Sequence, residues 1–258
     1  MKLHLYSLLL LTTASVQAST FVDHTFNNGD WTSSILTNTN NAPGNTYAAY
    51  QVNTGGNVVD YRYLEHTTTK DGSGLYNTIR IANLNSLFSI NPLSSPIQSI
   101  DFSFDLLDFP NLLNSYNTMA YALALLQAGN TYLSPNVIAD TTTWNTHSLS
   151  GLTSTSFCLA TNANSLDCAI HPTFNAGGTI RFGYAIINGL PNAAIYGTQK
   201  SGLDNYDVTV QSAVPEPGSL GLAAIGLALT GWGNWRRRKS RESERNAPST
   251  SAPTSAAS

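Results

Sequence analysis

Residues 100–106 read IDFSFDL. Ile100, Phe102, Phe104 and Leu106 alternate with Asp101, Ser103 and Asp105, and a period of two puts the apolar set on one strand face and the polar set on the other. The same spacing in NVVDYRYL, residues 57–64, places Val59, Tyr61 and Tyr63 together. In TMAYALALLQA, residues 118–128, the alanines and leucines would suit a helix, but the Gly129-Asn130 that follows is a hairpin signal, so this run is read as a strand. Further strands are expected at residues 76–82, 156–160, 179–187 and 205–211. No long helical pattern occurs before Ser219. Many short strands with polar connections in about 195 residues predict an all-β fold, a β-sandwich.

Composition agrees. The chain has 258 residues, 41% of them apolar and only 10% charged, which allows one sizeable domain plus terminal targeting segments. Abundant Asn, Ser, Thr and Gly with well-represented Tyr and Phe is the composition of secreted β-proteins with polar loops, and the apolar content is too high for a disordered chain. The net charge of −3 conceals an asymmetry, since six of the 12 basic residues fall between Arg236 and Arg245. Residues 19–213 hold five basic residues against twelve acidic ones, a net of −7. A body so acidic argues against nucleic acid as a partner, because phosphate binding needs a basic face.

Both ends read as membrane-active. MKLHLYSLLLLTTASVQA, residues 1–18, has a positive Lys2, an apolar stretch centred on Leu8 to Leu11, and a small-residue cleavage site at Val16-Gln17-Ala18, so a secretory signal peptide ending at Ala18 is expected. Residues 219–235 are 17 without a charge, about 26 Å as a helix, at the short end of what crosses a bilayer. Trp232 and Trp235 stand beside Arg236, Arg237, Arg238 and Lys239, as an aromatic belt next to a cytoplasmic basic cluster would, which places the body outside. Residues 240–258 have the Ser/Ala/Pro/Thr composition of a disordered tail.

Val214-Pro215-Glu216-Pro217, then Ser219-Leu220, an apolar run containing Gly226-Leu227, and the cluster Arg236 to Lys239 together resemble the PEP-CTERM sorting signal of exopolysaccharide-producing Gram-negative bacteria. The resemblance covers residues 214–239. It implies an exosortase as partner, a membrane-embedded, cysteine-protease-like enzyme that recognises Pro215, Glu216 and Pro217. It further implies transient anchoring in the inner membrane and release of the body, residues 19–213, to the cell surface or extracellular matrix. Two prolines flanking Glu216 keep the segment extended and accessible. The tail beyond Lys239 departs from the family pattern, which usually stops soon after the arginines.

The body resembles the jelly-roll sandwiches shared by laminin-G, legume-lectin (concanavalin-like) and carbohydrate-binding modules. The residues behind this are Gly177-Gly178 leading into TIRFGYAII, and SGLDNYDVTV at 201–210, read as a final strand opened by an Asp-Asn turn. Cys158 and Cys168, the only cysteines, would both lie outside the cytoplasm, so a disulfide is expected, worth about 2.5–3 kcal/mol by loop-closure entropy.

No catalytic set is visible. His24, His66, His147 and His171 are scattered and read as structural, and neither a G-x-S-x-G elbow nor a phosphate loop occurs. Asp101, Asp105 and Asp108 are the acids that glycoside hydrolysis could use, since it needs two carboxylates about 5–10 Å apart, but the opposed Phe102 and Phe104 mark Asp101 and Asp105 as a solvated outer face. Last-strand aspartates of jelly-roll modules often help bind a structural calcium, so Asp204 with Asp23 or Asp30 is a candidate site; an Asx-turn is the alternative for Asp204. No other cofactor is expected. Three functions stay open: a non-enzymatic, exported polysaccharide-binding protein, which is the leading reading, a glycan-active enzyme on the same fold, and a structural biofilm component that binds no sugar.

Overall fold

In a computed structural model of the protein, the run at IDFSFDL lies inside a 12-residue strand, Ile97–Asp108. The structure describes residues 16–38, 45–68, 77–109, 119–138, 142–161, 165–190 and 197–213. In chain order the strands are β1 (Val16–Asp23), β2 (Trp31–Asn38), β3 (Thr46–Val52), β4 (Tyr61–Thr68), β5 (Asn77–Ile90), β6 (Ile97–Asp108) and β7 (Ala120–Gln127). They continue with β8 (Asn130–Leu133), β9 (Val137–Ile138), β10 (Asn145–Leu152), β11 (Cys158–Ala160), β12 (Leu166–Asp167), β13 (Ile180–Leu190) and β14 (Gly197–Ala213).

Every strand pairing is antiparallel, and the strands form two sheets. One runs β10-β6-β14-β4-β3, with β1 also on β14; the other runs β12-β11-β8-β7-β13-β5-β2, with β9 on β7. The chain repeatedly passes from one sheet to the other between consecutive strands, the winding of a jelly roll. The expected all-β sandwich is therefore the fold.

The core lies between the sheets and is aromatic. Ile100, Phe102, Phe104 and Leu106 of β6 are all buried, as their spacing predicts. Phe102 packs on Phe104 at 4.5 Å and on Tyr206 at 5.4 Å, and Tyr206 meets Trp31 edge-on at 5.4 Å. Side chains of this size, each removing on the order of 150–250 Å² from water, carry most of the hydrophobic stabilisation.

Five expectations change at their margins. Residues 57–60 do not join β4, and Val59 is 56% exposed, because the Asn57 and Val58 N–H groups bind Asp204 in place of a ladder partner. The hairpin between β7 and β8 turns at Ala128-Gly129, both at positive φ, one residue earlier than Gly129-Asn130. β5 runs eight residues past Ala82, since its buried positions there include Asn83 and Asn85, which hide the apolar period. Ser156 belongs to a single 3-10 turn before β11. The last strand begins at Gly197, well before the Asp-Asn pair, and Asp204-Asn205 forms a bulge within it in place of an opening turn.

Val16, Gln17 and Ala18, expected as the leader's cleavage site, are the first residues of β1 and pair with Ala213, Ser212 and Gln211. Cleavage after Ala18 leaves Ser19–Asp23 paired with β14 residues 206–210. The rest of the expected leader, the sorting motif, the apolar span and the basic cluster lie outside the described residues. Among those described, no helix is long and apolar enough to cross a membrane.

Candidate functional site

The outer face of the β6–β14–β4–β3 sheet brings together residues far apart in sequence. Register sets Thr146 of β10, Asp105 of β6 and Asp204 of β14 side by side on three neighbouring strands. Asp105, only 3% exposed, accepts Thr146 Oγ1 on Oδ1 at 2.5 Å, and on Oδ2 both Asn57 Nδ2 at 2.5 Å and Asn205 Nδ2 at 2.6 Å. Burial pushes its pKa up, but these three hydrogen bonds to the charged form outweigh it, so the carboxyl titrates below the ordinary range. It is a fixed anion, and the solvated side chain expected from its strand period is instead a buried one.

Asp204 anchors the loop between β3 and β4. Its Oδ2 accepts the Asn57 N–H at 2.7 Å and the Val58 N–H at 3.3 Å, and its Oδ1 the Asn205 N–H at 2.6 Å. Asn205 holds φ +49 within the bulge, a left-handed conformation Asn tolerates better than most residues, and its Oδ1 meets His24 Nδ1 at 2.8 Å.

The anchored loop supports a row of rings. Gly55 O accepts Trp144 Nε1 at 3.2 Å, and Trp144 packs on Tyr61 with ring centroids 5.5 Å apart. From Tyr61 the row continues to Phe109 at 6.2 Å, to Tyr63 at 5.8 Å and to Tyr50 at 4.9 Å. It crosses the strands, because Tyr50 is the register partner of Tyr63, which in turn faces Gly202 of β14. Gly202 lets Trp144 lie down: a Cβ there would stand 2.6 Å from Trp144 Cη2 and 3.1 Å from Tyr61 Cδ2. Tyr50 is 44% exposed, Tyr63, Phe109 and Trp144 are half-buried, and Tyr61 is nearly covered. Tyr63 donates its hydroxyl to Glu65 Oε2 at 2.8 Å, and burial followed by the Glu65 carboxylate raises the Tyr63 pKa, so it stays a neutral donor. Glu65 also pairs with Lys200 at 3.6 Å.

Periodicity had already put Tyr61 and Tyr63 on one face. Tyr50, Phe109, Trp144, Asn57 and Asn205 carried no local signal, since only the sheet register assembles them.

The other candidates stand apart. Asp101 accepts the Gly151 N–H at 2.8 Å and lies four residues from Asp105 along one strand, roughly 13 Å at 3.3 Å per residue, beyond the reach of a two-carboxylate hydrolase. Asp108 has the opposite strand parity from Asp105, and burial raises its pKa to about 6. Asp23 accepts the Thr25 and Phe26 N–H groups on Oδ1, both at 2.8 Å, and Trp31 Nε1 on Oδ2 at 2.8 Å. N–H groups aimed at the oxygens of Asp23 and Asp204 occupy the lone pairs that calcium would need, so the pair does not fit that ion. Asp30 closes the 3-10 turn at Asn28–Asp30. Among the described residues no three His, Cys, Asp or Glu side chains are grouped to hold a metal. Cys158 and Cys168 are joined in a disulfide.

Residues 213–239 match the PEP-CTERM protein-sorting motif. The chain carries a PEP-CTERM sorting signal. The PEP-CTERM motif implies exosortase-sorted export with a C-terminal membrane-anchoring segment. No curated protein matches the chain. A structure of carbohydrate-binding modules from the β-sandwich superfamily overlaps 76% of the chain and 74% of its own length, at 9% identity and TM-score 0.37. The CBM22-1–GH10 modules of the Clostridium thermocellum xylanase Xyn10B, complexed with xylohexaose, overlap 75% of the chain and 28% of their own, at 8% identity and TM-score 0.35. Overlaps this loose say nothing about a ligand.

Proposed function

We propose that the body is a non-catalytic polysaccharide-binding module, delivered to the cell surface or matrix by its PEP-CTERM signal. The observation that carries this reading is the row Trp144–Tyr61–Phe109–Tyr63–Tyr50 on one outer sheet face. The apolar C–H faces of pyranose rings stack on aromatic faces, and a row across the strands offers several such contacts to an extended chain. Tyr63 and Thr146 hydroxyls and the Asn57 and Asn205 amides supply the polar contacts that orient hydroxyl-bearing ligands. The acids Asp105, Asp204 and Glu65 around the row favour a neutral or amino-bearing glycan over a uronate-rich one.

In this reading the leader is cleaved after Ala18, the span at residues 219–235 holds the precursor in the inner membrane, and Arg236, Arg237, Arg238 and Lys239 remain on the cytoplasmic side. The exosortase then acts at Pro215-Glu216-Pro217 and frees the periplasmic body.

The binding test is affinity electrophoresis of the protein in gels containing xylan, neutral β-glucan, chitosan or alginate. Retardation by a neutral or amino-bearing polymer that Tyr50→Ala and Trp144→Ala each weaken at least tenfold is expected. Retardation by none of them, or retention that both variants leave untouched, overturns the binding reading; release of reducing sugar from any of them overturns the non-catalytic one.

A further inference from the structure

The acids carried by the strands divide unevenly between the sheets. The first sheet has Asp23, Glu65, Asp101, Asp105, Asp108, Asp204 and Asp207 against Arg62 and Lys200. The second has Asp167 alone, with Arg80 and Arg181. The negative charge of the body thus falls mostly on the sheet that bears the ring row, and the second sheet is locally cationic. Sheets pack about 10 Å apart and salt screens exposed charges beyond about 8–10 Å, so an anion on the outer face of the second sheet meets that sheet's own charges first. Arg80 is buried and Arg181 half-buried, which makes Arg181 the cation such an anion can reach.

Arg181 alternates with Ile180 and Phe182, both fully buried in the core, so its side chain leaves the sheet on the outer face. Its surroundings are opened on two sides. Arg181 pairs with Ser89 of β5 but Gly183 pairs with Leu84, so residues 85–88 bulge from the ladder, and Asn85 Oδ1 holds the bulge by accepting the Leu87 N–H at 2.9 Å. On the other side the β7–β8 hairpin turns at Ala128-Gly129. Bulge and hairpin enclose a cavity of about 200 Å³ lined in part by Ser86, Ser89, Thr179 and Arg181. It adjoins a groove of about 420 Å³ whose walls include Thr32, Ser34 and Asn130, and Leu126, Gly129 and Arg181 line both. The groove is within the roughly 300–1,000 Å³ of small-ligand sites. Among the described residues no acid and no aromatic ring lines either cavity, and no carboxylate pairs with Arg181.

We infer that the Arg181 groove is a second ligand site, separate from the ring row, and that it takes a short sugar segment bearing one carboxylate, a uronic acid unit among neutral sugars. The planar guanidinium presents two parallel N–H donors that match a carboxylate, and it has no internal acid to satisfy. Hydroxyl side chains at residues 32, 34, 86, 89 and 179 and the Asn130 amide offer partners to sugar hydroxyls, while Leu126 supplies an apolar contact. Without a ring to stack on, the site favours a ligand held by polar groups. One accessible cation accepts one carboxylate; a polyuronate would bring further charges that nothing in the groove neutralises. The inference does not rest on the ring row, which lies on the other sheet.

The test is calorimetric titration of the full-length chain in detergent with a trisaccharide containing a single glucuronate, and with its uncharged methyl ester. Saturable binding of the acid is expected, weakened at least tenfold in the ester and at least tenfold by Arg181→Gln, while Trp144→Ala leaves it unchanged. No binding of the acid, equal binding of the ester, or equal binding by Arg181→Gln overturns the inference. So does inorganic phosphate bound as tightly as the trisaccharide, which would mark a general anion site. If Arg181→Gln melts below wild type, Ser34→Glu decides: it sets a carboxylate on an exposed part of the groove wall, and binding that it leaves unchanged overturns the inference. Binding lost in Trp144→Ala would assign the sugar to the ring row and overturn the second site, whereas loss of neutral-glycan retardation leaves this site standing, so the two readings fail separately.

Discussion

Asp204, on the last strand of the sandwich, accepts the backbone N–H of Asn57 at 2.7 Å across 147 positions of sequence. The Asn57 side chain in turn donates to Asp105 at 2.5 Å, so two carboxylates on adjacent strands hold one loop. Removing the buried Asp204 carboxylate takes away the acceptor of the Asn57 and Val58 N–H groups, and a hydrogen bond to a charged group is worth about 1.5–3 kcal/mol. Asp204→Ala is therefore expected to lose about that much stability in urea titration, with glycan retardation falling because Gly55 no longer positions Trp144. A loss under about 0.5 kcal/mol would show that the loop is held elsewhere.

Gly202 gives a sharper test of the ring row. A methyl group there would stand 2.6 Å from Trp144 Cη2, so Gly202→Ala must lift the indole or shift the strand. Overpacking of this kind costs about 1–3 kcal/mol. The expected outcome is a folded protein with altered tryptophan fluorescence and lost polysaccharide retardation. Unchanged retardation would mean that Trp144 does not contact the ligand.

How far the sequence reveals this arrangement depends on the residue. The alternation at residues 100–106 announces both the strand and its buried face, because hydrophobic burial acts on each side chain according to local parity. The bulge at Asp204-Asn205 is different. An Asp-Asn pair serves equally as a turn or as a bulge, and only the Asp105 partner on β6 decides between them. Trp144 and Tyr50 are 94 positions apart and belong to one row solely because β6, β14 and β4 lie side by side between β10 and β3, so no local pattern could have joined them.

One buried group and one half-buried group pull the pH dependence in opposite directions. His66 is fully buried, neither ring nitrogen has a hydrogen-bond partner among the described residues, and burial lowers its pKa to about 3. Between its unfolded value of about 6.5 and 3 the unfolded chain takes up a proton that the native state refuses, so this group removes stability as pH falls. Asp108, raised to about 6 by burial, does the reverse: from pH 6 down to about 4 the native state takes the proton first, and stability rises. The wild type is expected to vary little between pH 6 and 4.5. Asp108→Asn should be more stable than wild type at pH 7.5 and lose stability steadily on acidification, whereas His66→Phe should gain it. Parallel profiles for the two variants would refute the assignment.

Calcium should have no effect on the fold. The Asp23 and Asp204 oxygens accept N–H donors from Thr25, Phe26, Trp31, Asn57, Val58 and Asn205, and a cation would have to displace those bonds. Thermal midpoints in excess chelator and in millimolar calcium are expected to agree within about 1 °C; a calcium-dependent rise of several degrees, near 1 kcal/mol or more, would mean that the carboxylates rearrange around the ion.

The disulfide between Cys158 and Cys168 ties β11 to the segment after β12 across a separation of ten residues. Both elements are short, with only two register pairs between them, so hydrogen bonding alone holds this corner weakly. A loop of that length gives about 2.5–3 kcal/mol by chain entropy. For a domain near 200 residues, where 1 kcal/mol shifts the midpoint by about 2–4 °C, reduction or a Cys158→Ser/Cys168→Ser double substitution should lower Tm by roughly 5–12 °C. The ring row lies on the other sheet, so polysaccharide retardation below the lowered Tm is expected to be unchanged. A Tm drop with binding lost would instead show that the β11–β12 corner and the ring row unfold as one unit.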